Sequence, residues 1–178
     1  MALEPFGEAF PRIDPSAFVH PTATLIGDVR IGPDSSVWPG AVLRADWAPI
    51  EVGEGTSIQD NAVVHVTPSG GTTIGSFCVV GHLAFLEECE VGDCCQIGVG
   101  ARILNGARLQ RGSVAAAQAV VLGGMEVPGG HRAQGVPARI EPFSRPSAEE
   151  IRANAETYVG TAREMAASLA RDARQRRH

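Results

Sequence analysis

Aliphatic residues recur along this chain at every sixth position. The series runs Ile13, Val19, Leu25, Ile31, Val37, Leu43, skips three residues to resume at Val52, Ile58 and Val64, and skips four more to resume at Ile74, Val80 and Leu86. With one residue dropped it continues through Val91, Ile97, Ile103, Leu109, Ala115, Val121, Val127 and Ala133. Four positions after many of these sits a small residue, such as Ala17, Ala23, Ser35, Ala41, Cys78, Ala101 or Ser113. Glycine often follows the aliphatic directly, as in Gly32, Gly53, Gly75, Gly92 and Gly98. A period of six matches neither the 3.6 of a helix nor simple strand alternation. It predicts short strands joined by sharp corners, with the aliphatic and the small residue both turned into a narrow prism: an all-β solenoid. Three faces make one coil, so residues 13–138 hold about seven coils at the ~4.8 Å inter-strand spacing, a column ~30 Å tall.

The interruptions of the period are informative. The extra residues near Asp46–Ile50 and Thr67–Thr73 are expected to bulge from the coil as loops, and loops on a rigid scaffold are where function tends to sit. Residues 1–12 read as an N-terminal arm, 13–140 as the column and 141–147 as a proline-rich linker. Ser147-Ala148-Glu149-Glu150 then has the form of a capping box, opening a helix over 148–174 before a tail at 175–178. In that helix Ile151, Ala155, Tyr158, Ala162, Met165 and Leu169 form one apolar stripe, which needs the column or a neighbouring subunit to bury it. Gly160 weakens it locally.

Composition narrows the chemistry. The 178 residues carry a formal net charge of −5, which offers no general attraction to nucleic acid or to an anionic membrane. All basic groups are arginine; the absence of lysine excludes Schiff-base and P-loop lysine chemistry. No secretory signal and no membrane-spanning stretch is visible, so a cytoplasmic location is expected. Cys78, Cys89, Cys94 and Cys95 lack zinc-knuckle or disulfide-framework spacing and read as small apolar filler in a reducing compartment.

Counting coils places side chains. Leu43, Val64 and Leu86 are separated by one coil plus the inserted residues, so the residues after them, Arg44, His65 and Glu87, should form one vertical column. By the same count Asp60 and His82 stack on the preceding face, with Gln59 beside Asp60. Polar residues of catalytic type thus gather on two faces near one edge of the prism, whereas His20, His131 and His178 lack such partners and read as surface or corner residues. His65 and His82 are candidate metal ligands on different faces. One chain does not readily close both on a metal; a three-fold trimer of parallel columns does.

The segments Leu43-Arg44-Ala45-Asp46, Ile58-Gln59-Asp60-Asn61-Ala62-Val63-Val64-His65 and Val80-Gly81-His82-Leu83-Ala84 resemble the γ-class carbonic anhydrases and their hexapeptide-repeat relatives. The likeness extends to Gly135-Val136-Pro137-Ala138 and to Asn154–Val159. It implies a left-handed parallel β-helix and a homotrimer with intersubunit sites. It also implies a divalent metal, zinc or alternatively iron or cobalt, held by His65 and by His82 of the adjacent subunit. Arg44 and Asp46 match an intersubunit salt bridge, and Gln59 matches a glutamine that hydrogen-bonds the metal-bound water or the substrate. The implied activity is reversible hydration of CO2 to bicarbonate by a metal-bound hydroxide.

The departure from the family pattern is at the third ligand, where Glu87 stands in place of histidine. A two-His, one-Glu set is a legitimate zinc site. The carboxylate cancels part of the metal charge, however, and should move the pKa of bound water from about 7 back toward the ~9 of aqueous zinc. Alternative functions are a non-catalytic scaffold, an acyl-CoA thioesterase, or an acyltransferase of the hexapeptide class.

Overall fold

The computed structural model describes residues 2–176. In it the hexad pattern becomes a three-sided column whose strands pair in parallel from coil to coil. On the first side, face A, Leu3, Leu25, Leu43, Val64, Leu86, Ile103 and Val121 stack in register. Face B stacks Ile13, Ile31, Val52, Ile74, Val91, Leu109 and Val127. Face C stacks Val19, Val37, Ile58, Val80, Ile97, Ala115 and Ala133. These aliphatics and the small residues four places on, such as Ala23, Ala41, Ala62, Ala101 and Ala119, form one continuous interior core.

The corners explain the winding. Three places after the aliphatic, the backbone takes positive φ at Asp34, Asn61, Phe77, Leu83, Cys94 and Gln118, between 52° and 61°, and at Gly40, Gly55, Gly100, Gly106 and Gly112. At most corners such a left-handed residue turns one strand into the next, and the column is a left-handed parallel β-helix of about seven turns. Only small or polar residues adopt that conformation cheaply, so Leu83 and Phe77 there are under strain. Between faces B and C, Ser35, Thr56, Cys78 and Cys95 replace alanine at the inward small position. Their groups satisfy backbone atoms of neighbouring coils: the Ser35 hydroxyl donates to the Gly53 carbonyl at 2.5 Å, Thr56 to Gly75 at 2.7 Å, and the Cys78 thiol to Gly92 at 3.1 Å. All four cysteines are buried and unpaired. Burial pushes the Cys89 thiol up to about 12, and the thiol of Cys95 together with burial raises Cys78, so both serve as neutral filler.

The structure departs from the sequence expectation at several edges. Asp46–Ile50 is no detached loop: it runs extended within the strand Val42–Val52. Register passes from Gly27↔Ala45 to Val29↔Ile50, so residues 46–49 form a wide bulge opposite Asp28. The second excursion is shorter than expected, because Thr72 and Thr73 are already strand. What remains is a tight turn closed between Thr67 and Gly70 and tied by Thr67 to Glu88. The N-terminal arm is partly built into the column, since Ala2–Glu4 adds a strand to face A. At the other end Arg139–Pro142 folds back antiparallel on His131–Gln134, so the expected linker begins within a hairpin.

The helix α1 (Ala148–Gln175) starts at Ser147 with both halves of the capping box formed. It lies along face C, burying Ile151, Ala155 and Ala162. Tyr158 meets Trp38 edge-on at 6.4 Å, the Arg152 guanidinium stacks on Phe77 at 4.0 Å, and Arg163 pairs with Asp34 at 2.9 Å. The stripe expected from sequence therefore docks on its own column. His178, expected to be a solvated tail residue, lies outside the described residues. Among the described residues no helix is long and apolar enough to cross a membrane.

Candidate metal centre

The register places Arg44, His65 and Glu87 opposite one another on three successive strands of face A. His65 ends its strand at the corner leading to face B and is 8 % exposed. Its Nδ1 lies 2.8 Å from Glu87 Oε1, and its Nε2 lies 3.2 Å from Asp46 Oδ1. The other Asp46 oxygen, Oδ2, accepts from the Arg44 guanidinium of the same chain. The bulge at residues 46–49 is what brings Asp46 over His65. The Arg44–Asp46 pair implied as an intersubunit bridge is thus already made within one chain.

His82 and Asp60 stand at the other edge of face A, where face C turns the corner. Asp60 Oδ2 lies 3.0 Å from His82 Nδ1, and both side chains are substantially exposed. Gln59 is buried beside them, its backbone N–H donating to the Val80 carbonyl. The structure therefore gathers Arg44, Asp46, His65 and Glu87 into one cluster, Gln59, Asp60 and His82 into a second, and keeps the two apart on one chain. Among the described residues no three His, Cys, Asp or Glu donors of a single chain converge on one point.

Donor chemistry nevertheless suits a cation. A neutral imidazole has one N–H and can donate to only one of two flanking carboxylates. Arg44 offsets one of the two negative charges, and a bound dication, or a second proton on His65, would neutralise the other. Placing such a group in a largely buried position without a counterion is costly.

Sequence reasoning missed Trp47. Its indole meets the His65 ring edge-on at 5.5 Å and is 57 % exposed, shielding one side of the cluster. Its position in the inserted segment, next to Asp46, was the available signal. With Phe6, Ala9 and Pro49 it also lines a small cavity of about 170 Å³ that reaches Asp46. A larger depression, about 550 Å³, lies instead on face B among Glu90, Arg108 and Glu126, with none of the stacked histidines in it. His20 and His131 make only local contacts, to Thr22 and to the Gly129 carbonyl.

No protein-family model matches the chain. Among curated proteins it is 40 % identical over 136 residues to gamma carbonic anhydrase 1, mitochondrial, of Arabidopsis thaliana, covering 73 % of this chain and 50 % of that protein. The chain spans about half the length of the plant carbonic anhydrases it matches. It is 35 % identical over 139 residues to the carnitine operon protein CaiE of Escherichia coli O157:H7, covering 78 % of this chain and 71 % of that one. Among solved structures, a hexapeptide transferase family protein from Anaplasma phagocytophilum superposes with a TM-score of 0.88 at 37 % identity, over 92 % of this chain and 97 % of the other.

Proposed function

Because the chain belongs to the γ-class carbonic anhydrase family of hexapeptide-repeat proteins, we propose that it is a metal-dependent enzyme interconverting CO2 and bicarbonate at a site shared between subunits. The observation that carries this reading is the pair of histidine–carboxylate clusters, His65 with Asp46 and Glu87, and His82 with Asp60, at opposite edges of one bare face. Carbonic anhydrase relatives imply a metal cofactor in general. We assign His65 and, from a second copy, His82 as the imidazole donors, with a carboxylate completing the set and zinc as the cation. A bound dication supplies Lewis acidity, lowering the pKa of water toward neutrality.

The remaining work falls to this chain's own groups. Arg44 fixes the Asp46 carboxylate, and Glu87 and Asp60 fix the two imidazole planes. Gln59 offers an amide to orient substrate oxygen, and Trp47 walls off bulk water on one side of His65.

The trimer rests on the contrast between faces. Face C is covered by α1. The outward residues of face B are Arg12, Arg30, Glu51, Thr73, Glu90, Arg108 and Glu126, nearly all charged. The same row of face A is Thr24, Val42, Val63, Phe85, Arg102 and Val120, four of six apolar, with Leu83 and Val99 at its corner 61 % and 44 % exposed. Exposed apolar side chains in that number favour a protein contact, and a cyclic assembly through face A brings one copy's His82 edge toward the next copy's His65 edge.

The test is zinc loading followed by metal analysis and stopped-flow CO2 hydration. His65→Ala and His82→Ala should each strip the metal and abolish hydration while circular dichroism stays unchanged, because the hexad core contains neither residue. Full metal occupancy in either variant would sink the assignment. The Anaplasma relative, described as a hexapeptide transferase, favours one competing reading, acyl transfer from a CoA thioester. A panel of CoA esters separates the two.

A further inference from the structure

Both histidines meet a carboxylate at the same ring nitrogen. Glu87 Oε1 lies 2.8 Å from His65 Nδ1, and Asp60 Oδ2 lies 3.0 Å from His82 Nδ1. A carboxylate at one imidazole nitrogen holds the proton there and leaves the lone pair on the other, the arrangement that orients metal-binding histidines. At His65, where the contact is a hydrogen bond, the ring therefore presents Nε2; at His82 the Asp60 contact is an ion-pair distance that occupies the Nδ1 side and leaves Nε2 on the other. At His65 that atom faces Asp46 Oδ1 at 3.2 Å. With the ring's proton on Nδ1, the Nε2 lone pair and Asp46 Oδ1 face one another as two donor atoms available to one cation. The separation is close to the edge of about 3.4 Å between neighbouring ligands of a tetrahedral ion bound at 2.0–2.1 Å. Asp46 is also held in place to serve as a ligand, since its side chain is only 7 % exposed and its second oxygen is engaged by Arg44.

From this geometry we propose that the carboxylate ligand is Asp46, and that Glu87 is a positioning residue acting through His65. The donor set is then His65 Nε2 and Asp46 Oδ1 of one chain with His82 Nε2 of a second copy. This rests on the metalloprotein reading above and revises the expectation that Glu87 binds the metal itself. Replacing a family histidine by glutamate here does not change one ligand for another at the same place. It moves that position outward, to a hydrogen bond on the neighbouring ligand, and recruits the carboxylate carried by the bulge.

The experiment uses full-length protein loaded with Zn2+ or Co2+. Metal content and affinity are measured by elemental analysis and by competition with a chromophoric chelator, and coordination by the visible spectrum of the Co2+ form. Glu87→Gln should keep one metal per chain with affinity lowered about 10–100-fold, the usual effect of losing an outer hydrogen-bond partner, and an unchanged cobalt spectrum. Asp46→Asn should lose stoichiometric metal as His65→Ala does. If Asp46→Asn fails to fold or assemble, the cobalt spectrum of Glu87→Gln decides alone: unchanged bands sustain the proposal, and the bands of a site short of one ligand overturn it. Wild-type affinity in Asp46→Asn together with metal loss in Glu87→Gln also overturns it. Those results leave the parent reading standing, which fails separately if either His65→Ala or His82→Ala retains full metal.

Discussion

Single residues at the corners carry much of the conformational cost of this fold, and the cost differs with surroundings. Gly27 has φ +77°, and a Cβ there would lie 2.1 Å from the Ala45 carbonyl oxygen, one residue before Asp46. Gly124 has φ +71° with nothing within 4 Å of the same virtual atom. Gly124→Ala should therefore lose only the left-handed penalty of about 1–2 kcal/mol. Gly27→Ala should lose clearly more, since backbone must move as well. Urea unfolding of the two variants checks the order, and equal losses would mean that the bulge relaxes freely. Leu83 shows the opposite choice: a bulky residue is kept at φ +61° although it is largely exposed. Its strain is intelligible if its side chain serves the contact between copies.

Between elements, charge ladders bind the first coils where the backbone bulges. Asp28, opposite the bulge, lies between Arg12 at 2.9 Å and Arg30 at 2.8 Å, and Arg30 also pairs with Glu51 on the next coil. The Arg30 hydrogen bond first, and Arg12 second, hold the Asp28 carboxyl below its usual range. A carboxyl whose folded pKa is depressed contributes stability that is present above the unfolded value of about 3.9 and is lost as pH falls through the folded pKa. Asp28→Asn should thus lower stability near pH 7 and make the acid side of the stability profile shallower below about pH 4. Urea midpoints across pH 3–7 report both, and parallel profiles for the two proteins would exclude the linkage. The pairs are partly exposed, so salt should weaken the effect.

At the scale of the whole molecule, the helix covers one face in three, and of the two open faces A is the apolar one and B the charged one. Val63→Glu and Leu83→Asp each put a charge on face A or its corner without touching the interior, where Val64 and Ala84 do the packing. Each should convert the assembly to monomers in sedimentation velocity at micromolar concentration. Metal should leave with assembly if, as proposed, each site takes donors from two chains. Monomers that keep stoichiometric metal would place the site within one chain. Charge reversal on face B, such as Glu90→Arg, should leave the assembly intact by the same measurement.

The period-six pattern was sufficient to deduce the column, and the count of inserted residues sufficed to stack Arg44, His65 and Glu87. Both are properties of order along a chain that must return to the same face every coil. The capping box at Ser147 and the helix stripe were legible for the same reason, since they depend on spacing within a few residues. Folding in three dimensions decided the rest. The path of residues 46–49 depends on the coil beneath them, so neither Asp46 over His65 nor Trp47 against its ring follows from spacing. Which imidazole nitrogen each carboxylate meets depends on side-chain torsions, which a register cannot specify. The pairing of Ala2–Glu4 with face A and the docking of α1 on face C join segments far apart in sequence; the first lengthens face A by a coil, and the second determines which two sides of the prism stay open.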